Sequence, residues 1–297
     1  MKKDSPAGSI PSDRVDYWVG TRYAGLSRNQ VLEAIAAGLV LAAGGGKLRK
    51  GDRVQAGREP DCSSLEAHLH RLAGGNPELE VPLLLETSAL SVVNKPAGMP
   101  GHPVRLLEFA TVTHWALARY PEIREWAVDC QPTVTPHRLD TGTSGVLLVA
   151  RTAVEFKRWR RCFSRGEVEK RYLAWCWGAP RLDRWIADQA IGHARGERGR
   201  MTVAEQGGRR AVSEVAVIRR LPDRFLCELV LHTGVTHQVR VHMAAAGHPL
   251  LGDRRYDPEF AARSIQPEHA LLHAVSVVCG EFKVEAPRTE FVAYFRG

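Results

Sequence analysis

The stretch HRLDTGTSG, His137 to Gly145, follows CQPTVTP and runs directly into the apolar segment VLLVA, so a carboxylate, Asp140, sits in a loop that feeds a strand. On local chemistry alone Asp140 is a turn former. An Asp side chain accepts a backbone N–H two residues on, and Gly142 and Gly145 suit tight turns. That reading requires no function, and only the rest of the chain can overturn it.

The 297 residues are enough to bury a full core, as one large domain or two of unequal size. With 44% apolar and 25% charged residues the composition is that of an ordinary globular protein, not of a disordered one. The net charge of +8 favours an anionic partner, nucleic acid or a membrane surface. Six cysteines are scattered without a C-x-x-C pair, which suggests neither a zinc ribbon nor a disulfide framework and fits a reducing cytoplasm. MKKDSPAGSIPSD has no apolar stretch behind its two lysines, so no secretory signal is expected, nor is any segment long enough to span a membrane.

The chain divides by pattern. Residues 1–13 are expected to be a flexible tail, 14–58 a small helical and hairpin-like unit, 59–80 a linker with one short helical stretch and solvated His68 and His70, and 81–297 the main domain. In the small unit Ser27 is placed to N-cap a helix that Gly38 ends. From Val81 onward short apolar runs alternate with turns: VPLLLE, LSVVNKPAG, GVLLVA, RYLAWCWG, VSEVAVIRR, FLCELVLHTG, LLHAVSVVCG and EFKVEAP. These predict strands, with helices at 109–120 and 153–166 between them, and hence an α+β fold on a mixed, mainly antiparallel sheet. There is no phosphate-binding loop and no Gly-x-Gly-x-x-Gly after a strand, so no nucleotide cofactor is indicated.

Polar groups gather where a core has no need of them. Asn94-Lys95-Pro96-Ala97-Gly98 ends a strand, Lys170-Arg171-Tyr172 opens one, and Gly234-Val-Thr-His-Gln-Val-Arg240-Val-His242 follows another. Thr236 is placed to N-cap a helix carrying Arg240 in its first turns and closed by Gly247. His237 and His242, five apart, do not share a helical face and are expected to be structural rather than a metal pair. The basic segments 157–171, with Trp159 and Phe163 interleaved, and 192–201 are candidate RNA guides, although the aromatics suit a core equally well.

HRLDTGTSG, NKPAG, EKRYLAWCWG, TGVTHQVRVHMAAAGHPLLGD and LLHA…EAP are similar, in order and approximate spacing, to the RluA-type RNA pseudouridine synthases, over roughly residues 81–297. The resemblance implies a sheet split by a central basic cleft and the isomerisation of uridine to pseudouridine in RNA, without metal or cofactor. It implies Asp140 as the essential carboxylate, acting as a nucleophile on sugar or base or as a base toward the ribose. Arg240 is then the cation that keeps Asp140 ionised, because a buried carboxylate would otherwise take up a proton. Tyr172 matches the family's tyrosine, either a platform for the base or a group that helps remove the proton on carbon five. The target nucleotide has to leave its stack, at a cost of about a few kcal/mol. Arg138 and His137 are candidates to fill the gap or hold phosphate, with Lys95, Lys170 and Arg171 as further RNA contacts. The sequence has Val235 where the family usually carries arginine.

Ser27-Arg28, Gly38-Leu39-Val40 and Gly51-Asp52-Arg53-Val54 also resemble the small RNA-binding domain named after ribosomal protein S-four, with Leu41-Ala42-Ala43-Gly44 replacing its usual Val-Asn-Gly. This degenerate accessory unit makes ribosomal RNA a stronger expectation than transfer RNA, and a monomer is the default. Two other classes compete. A non-catalytic RNA-binding or ribosome-assembly factor would have no use for an acid amid cations. A glycosidase would need a second carboxylate, for which Asp253 and Glu214 are the available residues.

Overall fold

The computed structural model describes residues 14–55, 57–127, 133–197 and 199–295. The expected tail at 1–13 and Cys130 lie outside them. Chain contacts define two compact units, Met1–Glu78 with His102–Thr133, and Leu79–Gly101 with Val134–Gly297.

The first unit is larger than the sequence suggests. Its helices are α1 (Val15–Arg22), α2 (Arg28–Ala36), α3 (Ser63–Gly74) and α4 (Val112–Arg119). Ser27 caps α2 in a full capping box, its hydroxyl taking the Gln30 N–H while the Gln30 side chain accepts from the Ser27 N–H, a motif worth about 1 kcal/mol. The helical stretch expected in the region read as a linker is α3, and it sends Leu65 and Leu72 into a cluster with Val15, Trp18, Val31, Ile35 and Leu106. His68 is not solvated but bonds the Leu106 carbonyl at 2.9 Å. The expected hairpin over 39–54 is only isolated bridges, such as Leu41 to Lys47. The run of three glycines between its arms offers no side chains to pack a ladder.

The second unit is built on a nine-stranded sheet. Its strands are β1 (Leu83–Glu86), β2 (Leu90–Lys95), β3 (Ser144–Ala150), β4 (Glu169–Trp177), β5 (Arg184–Ala187), β8 (Ser213–Arg220), β9 (Arg224–Leu231), β10 (Leu272–Cys279) and β11 (Phe282–Glu285), while β6 (Ile191–His193) and β7 (Met201–Val203) form a separate ribbon. The order is β1-β2-β3-β10-β4-β9-β8-β5, with β11 also on β10, and every pair is antiparallel except β3 with β10. The mixed, mainly antiparallel α+β fold expected from the apolar runs is what forms. Helix α5 (Ala153–Arg165) buries Trp159 completely beneath Val146, Leu148 and Val277, so its aromatics are core and its cations stay outside. Helices α6 (Gln238–Ala245) and α7 (Thr289–Ala293) complete the unit.

Where β3 meets β10 the strands approach unusually closely. Gly145 has φ +108°, and a Cβ there would lie 2.1 Å from the Ala274 carbonyl oxygen. Gly145 is therefore no turn residue, as its place in HRLDTGTSG suggests, but a strand contact that tolerates no side chain. Ala274 pairs with Gly145 on one flank and with Tyr172 on the other, which brings the end of the Asp140 loop and Tyr172 to one level of the sheet. Among the described residues no helix is long and apolar enough to cross a membrane.

Candidate active site

Asp140 does occupy the first position of a tight turn, closed by the Thr143 N–H on the Asp140 carbonyl at 2.9 Å. That bond uses its backbone. Among the described residues the carboxylate takes no hydrogen bond from its own loop. Instead its Oδ2 lies 3.4 Å from Arg240 Nη1 and 3.8 Å from His237 Nε2. The turn-former reading accounts for the main chain and leaves the acid unexplained.

Arg240 is fixed before it reaches Asp140. Its Nε and Nη2 donate to the two oxygens of Asp253, both at 2.7 Å, and the guanidinium lies 4.9 Å from the Tyr256 ring centroid. Asp253 is 1% exposed and also accepts the backbone N–H groups of Arg255 and Tyr256. Burial works against the Arg240 charge, but the hydrogen-bonded Asp253 and the nearby Asp140 more than offset it, so its pKa is raised. The third guanidinium nitrogen is thereby aimed at Asp140 with the other two committed, a planar fork that lysine could not reproduce. The turn presenting Asp253 needs Gly252, whose φ is +80° and whose missing Cβ would sit 2.2 Å from the His269 carbonyl oxygen.

Helix α6, which carries Arg240, is not capped by Thr236 as expected. Its N-cap is His237 in the left-handed conformation, φ 58°, with no side-chain cap bond. The loop before it is tied by Gln238, whose Oε1 accepts the Thr233 hydroxyl and the Val235 N–H and whose amide donates to Val212 and Ser213. The His237 ring, held by the Tyr256 hydroxyl at 2.7 Å from its Nδ1, stands on the Asp140 side of the loop. His242 does behave as expected, bonding Ser213 and the Gln189 carbonyl. Val235 is 8% exposed in an apolar cluster with Ile191, Met201, Val241 and Tyr256, a setting in which valine fits and an unpaired guanidinium would not.

Tyr172 is buried, 9% exposed. Burial and then the Asp140 charge push its phenol pKa up, so it remains protonated at neutral pH. The five expected RNA contacts separate sharply. Lys95 is completely buried and donates to the carbonyls of Pro96, Met99 and Thr141, and burial lowers its pKa to about 8 despite the Asp140 charge. Lys170 is bonded to the Thr233 carbonyl at 2.6 Å, and burial brings it to about 8 too. His137 accepts the Leu148 N–H at 3.0 Å and stacks on Phe163 with centroids 4.5 Å apart. Arg171 pairs with Glu169 and Glu228. Only Arg138 is both exposed and, among the described residues, bonded to none.

The residues missed in the sequence are Asp253, Tyr256 and His237. LLGDRRY held a signal, since a Gly-Asp turn just after a helix bearing arginine places a carboxylate within its reach. Neither alternative carboxylate suits a glycosidase. Asp253 has both oxygens committed to Arg240, and Glu214 bonds His232 on an exposed flank.

A family model described as RNA pseudouridylate synthase matches residues 89–245. The chain belongs to this family of isomerases, which convert uridine in RNA to pseudouridine, and within it to the RluA type. It is 33% identical over 271 residues to ribosomal large subunit pseudouridine synthase D of Zymomonas mobilis, covering 89% of this chain and 81% of that one. To the dual-specificity RNA pseudouridine synthase RluA of Escherichia coli it is 36% identical over 205 residues, 67% of this chain and 87% of the relative. The solved structure of human RNA pseudouridylate synthase domain containing 1 superposes with a TM-score of 0.58 at 26% identity, over 71% of this chain and 84% of that one.

Proposed function

We propose that the protein isomerises one or more uridines of structured RNA, ribosomal RNA ahead of transfer RNA, with Asp140 as the essential carboxylate. The observation that carries this reading is an acid held by a distant arginine rather than by its own loop, with Arg240 Nη1 at 3.4 Å. The reaction breaks the glycosidic bond, turns the uracil and joins its carbon five to the ribose. Atoms and charge balance within the nucleotide, the proton lost from carbon five being matched by one gained on the freed N1, and the step calls for an ionised carboxylate. Arg240, itself anchored by Asp253, keeps Asp140 ionised once a base covers it. A phenol held protonated is a poor base, which favours Tyr172 as the surface against which the uracil lies.

The uridine reaches this site extruded from its stack. Arg138, two residues from Asp140 and exposed, is the group that enters the gap or holds the flanking phosphate. The preference for ribosomal RNA rests on the relative from Zymomonas mobilis, named for the large ribosomal subunit. The unit containing 14–58 is proposed as an accessory RNA-binding unit.

The test is pseudouridine mapping of total RNA by carbodiimide-stop sequencing, comparing a gene deletion complemented with wild type or with Asp140→Ala. A site lost in the deletion, restored by wild type and not by Asp140→Ala, is the expected result, with the variant slower by at least about a thousandfold. Restoration by Asp140→Ala would exclude Asp140 as the reactive group.

A further inference from the structure

His237 is the one residue other than glycine with a positive φ among the described residues, and it stands beside Asp140. Left-handed backbone at a non-glycine residue is uncommon and persists where the surroundings enforce it. The His237 ring is tied to Tyr256, whose hydroxyl lies 2.7 Å from His237 Nδ1. The Tyr256 oxygen already accepts the Met201 N–H at 3.0 Å, so its own hydrogen is free to go to Nδ1. With Tyr256 donating to Nδ1, the ring is the neutral tautomer with its hydrogen on Nε2. Burial, with help from Arg240 and Arg255 and against Asp140 and Asp253, lowers the pKa of the ring and keeps it neutral.

The Nε2–H is thus a single donor, 3.8 Å from Asp140 Oδ2. That separation is too long for a hydrogen bond between them and leaves both within reach of one oxygen about 2.8 Å from each, at an angle of roughly 85°. Such an oxygen must accept from the imidazole and donate to the carboxylate. A uracil carbonyl, an ether or a phosphate oxygen cannot donate. A water or a hydroxyl does both, and of the groups an internal nucleotide of RNA brings, with its 3′ and 5′ oxygens esterified, the one free hydroxyl is at the 2′ position.

We propose that His237 is a specificity-determining residue that, with Asp140, binds the 2′-hydroxyl of the target ribose and so selects RNA over DNA at the modified nucleotide. Tyr256 is the positioning residue that fixes the His237 tautomer. This rests on the reading of Asp140 given above.

The experiment measures single-turnover rates on a synthetic hairpin spanning the uridine returned by the mapping, made with ribose or with 2′-deoxyribose at that nucleotide alone. Wild type is compared with His237→Gly, which keeps the left-handed backbone without strain, with Tyr256→Phe, and with Asp140→Ala. Wild type is expected to convert the deoxy hairpin about 30-fold more slowly, the size of one hydrogen bond to a charged group. In His237→Gly the ribose hairpin slows by about three- to tenfold and the gap between the two hairpins narrows by the same factor, the remainder belonging to the Asp140 contact, while hairpin affinity stays within about twofold. Tyr256→Phe shifts part of the way in the same direction.

A deoxy penalty that persists in full in His237→Gly, including a deoxy hairpin inert with both enzymes, overturns the proposal, as does an unchanged ribose rate in that variant. Turnover by Asp140→Ala removes the reading of the carboxylate itself. An inert Asp140→Ala with an unchanged His237→Gly removes only the 2′-hydroxyl reading.

Discussion

Arg240 grips Asp253 with two hydrogen bonds of 2.7 Å and reaches Asp140 at 3.4 Å with its remaining nitrogen. The tighter pair is the one further from the chemistry. Removing a single partner of a buried ion pair leaves an uncompensated charge, which costs about 3–5 kcal/mol. Asp253→Ala should lower the unfolding free energy by about that amount in urea titrations. In single-turnover assays it should also lose more than about tenfold in rate, because the fork no longer aims at Asp140.

Tyr172 separates platform from proton carrier. If the ring supports the uracil, Tyr172→Phe should keep the rate within about tenfold, while Tyr172→Ala should abolish conversion and destabilise by about 3–5 kcal/mol. Single-turnover kinetics alongside urea unfolding of the two variants provide the check. A Phe variant as inactive as the Ala variant would return the hydroxyl to the mechanism.

Lys95 and Arg138 should respond oppositely. Lys95→Met leaves three inward carbonyls without their donor and should reduce stability by about 2–4 kcal/mol. Arg138→Ala should leave the melting temperature unchanged, yet weaken RNA binding and flatten its salt dependence by about one phosphate contact. Affinity measured at several salt concentrations, with thermal melts in parallel, distinguishes them.

His137 makes the fold sensitive to acid. Burial first, then the Lys170 charge, hold its pKa at about 3, while the unfolded ring titrates at its ordinary value of 6.5. Below that ordinary value the unfolded chain binds a proton that the folded chain refuses, so stability falls as pH drops from 6.5 toward 3. At pH 5 the loss from this one ring is about 2 kcal/mol. Urea midpoints between pH 7 and 5 should show the decline, and His137→Gln, whose amide oxygen can still accept from Leu148, should make it shallower.

Several parts of the molecule were legible in the sequence because they depend on local pattern. The apolar runs from Val81 onward became the long strands, and Ser27 capped its helix, since period and cap chemistry act within a few residues. The three-residue strands β6 and β7 carry too few residues to show a period. Asp140, Tyr172 and Arg240 were singled out by motif, but what holds them was not. The Arg240 clamp depends on Asp253 thirteen residues on, and the His237 ring on Tyr256 and Met201, contacts that only the tertiary fold creates. The same limit explains why Lys95, read as an RNA contact, faces inward. A cation ending a strand looks identical in sequence whether three carbonyls or solvent await it.

The pairing of Ala274 with both Gly145 and Tyr172 has a consequence for synthesis. The strand that unites the two sides of the site, β10, leaves the ribosome after Asp140, Tyr172 and Arg240 have all emerged. A nascent chain therefore holds these three side chains before it holds the sheet that brings their segments together. Activity that depends on this arrangement is therefore expected only after β10 has been made and has paired with both neighbours, because non-local strand pairing comes late in folding.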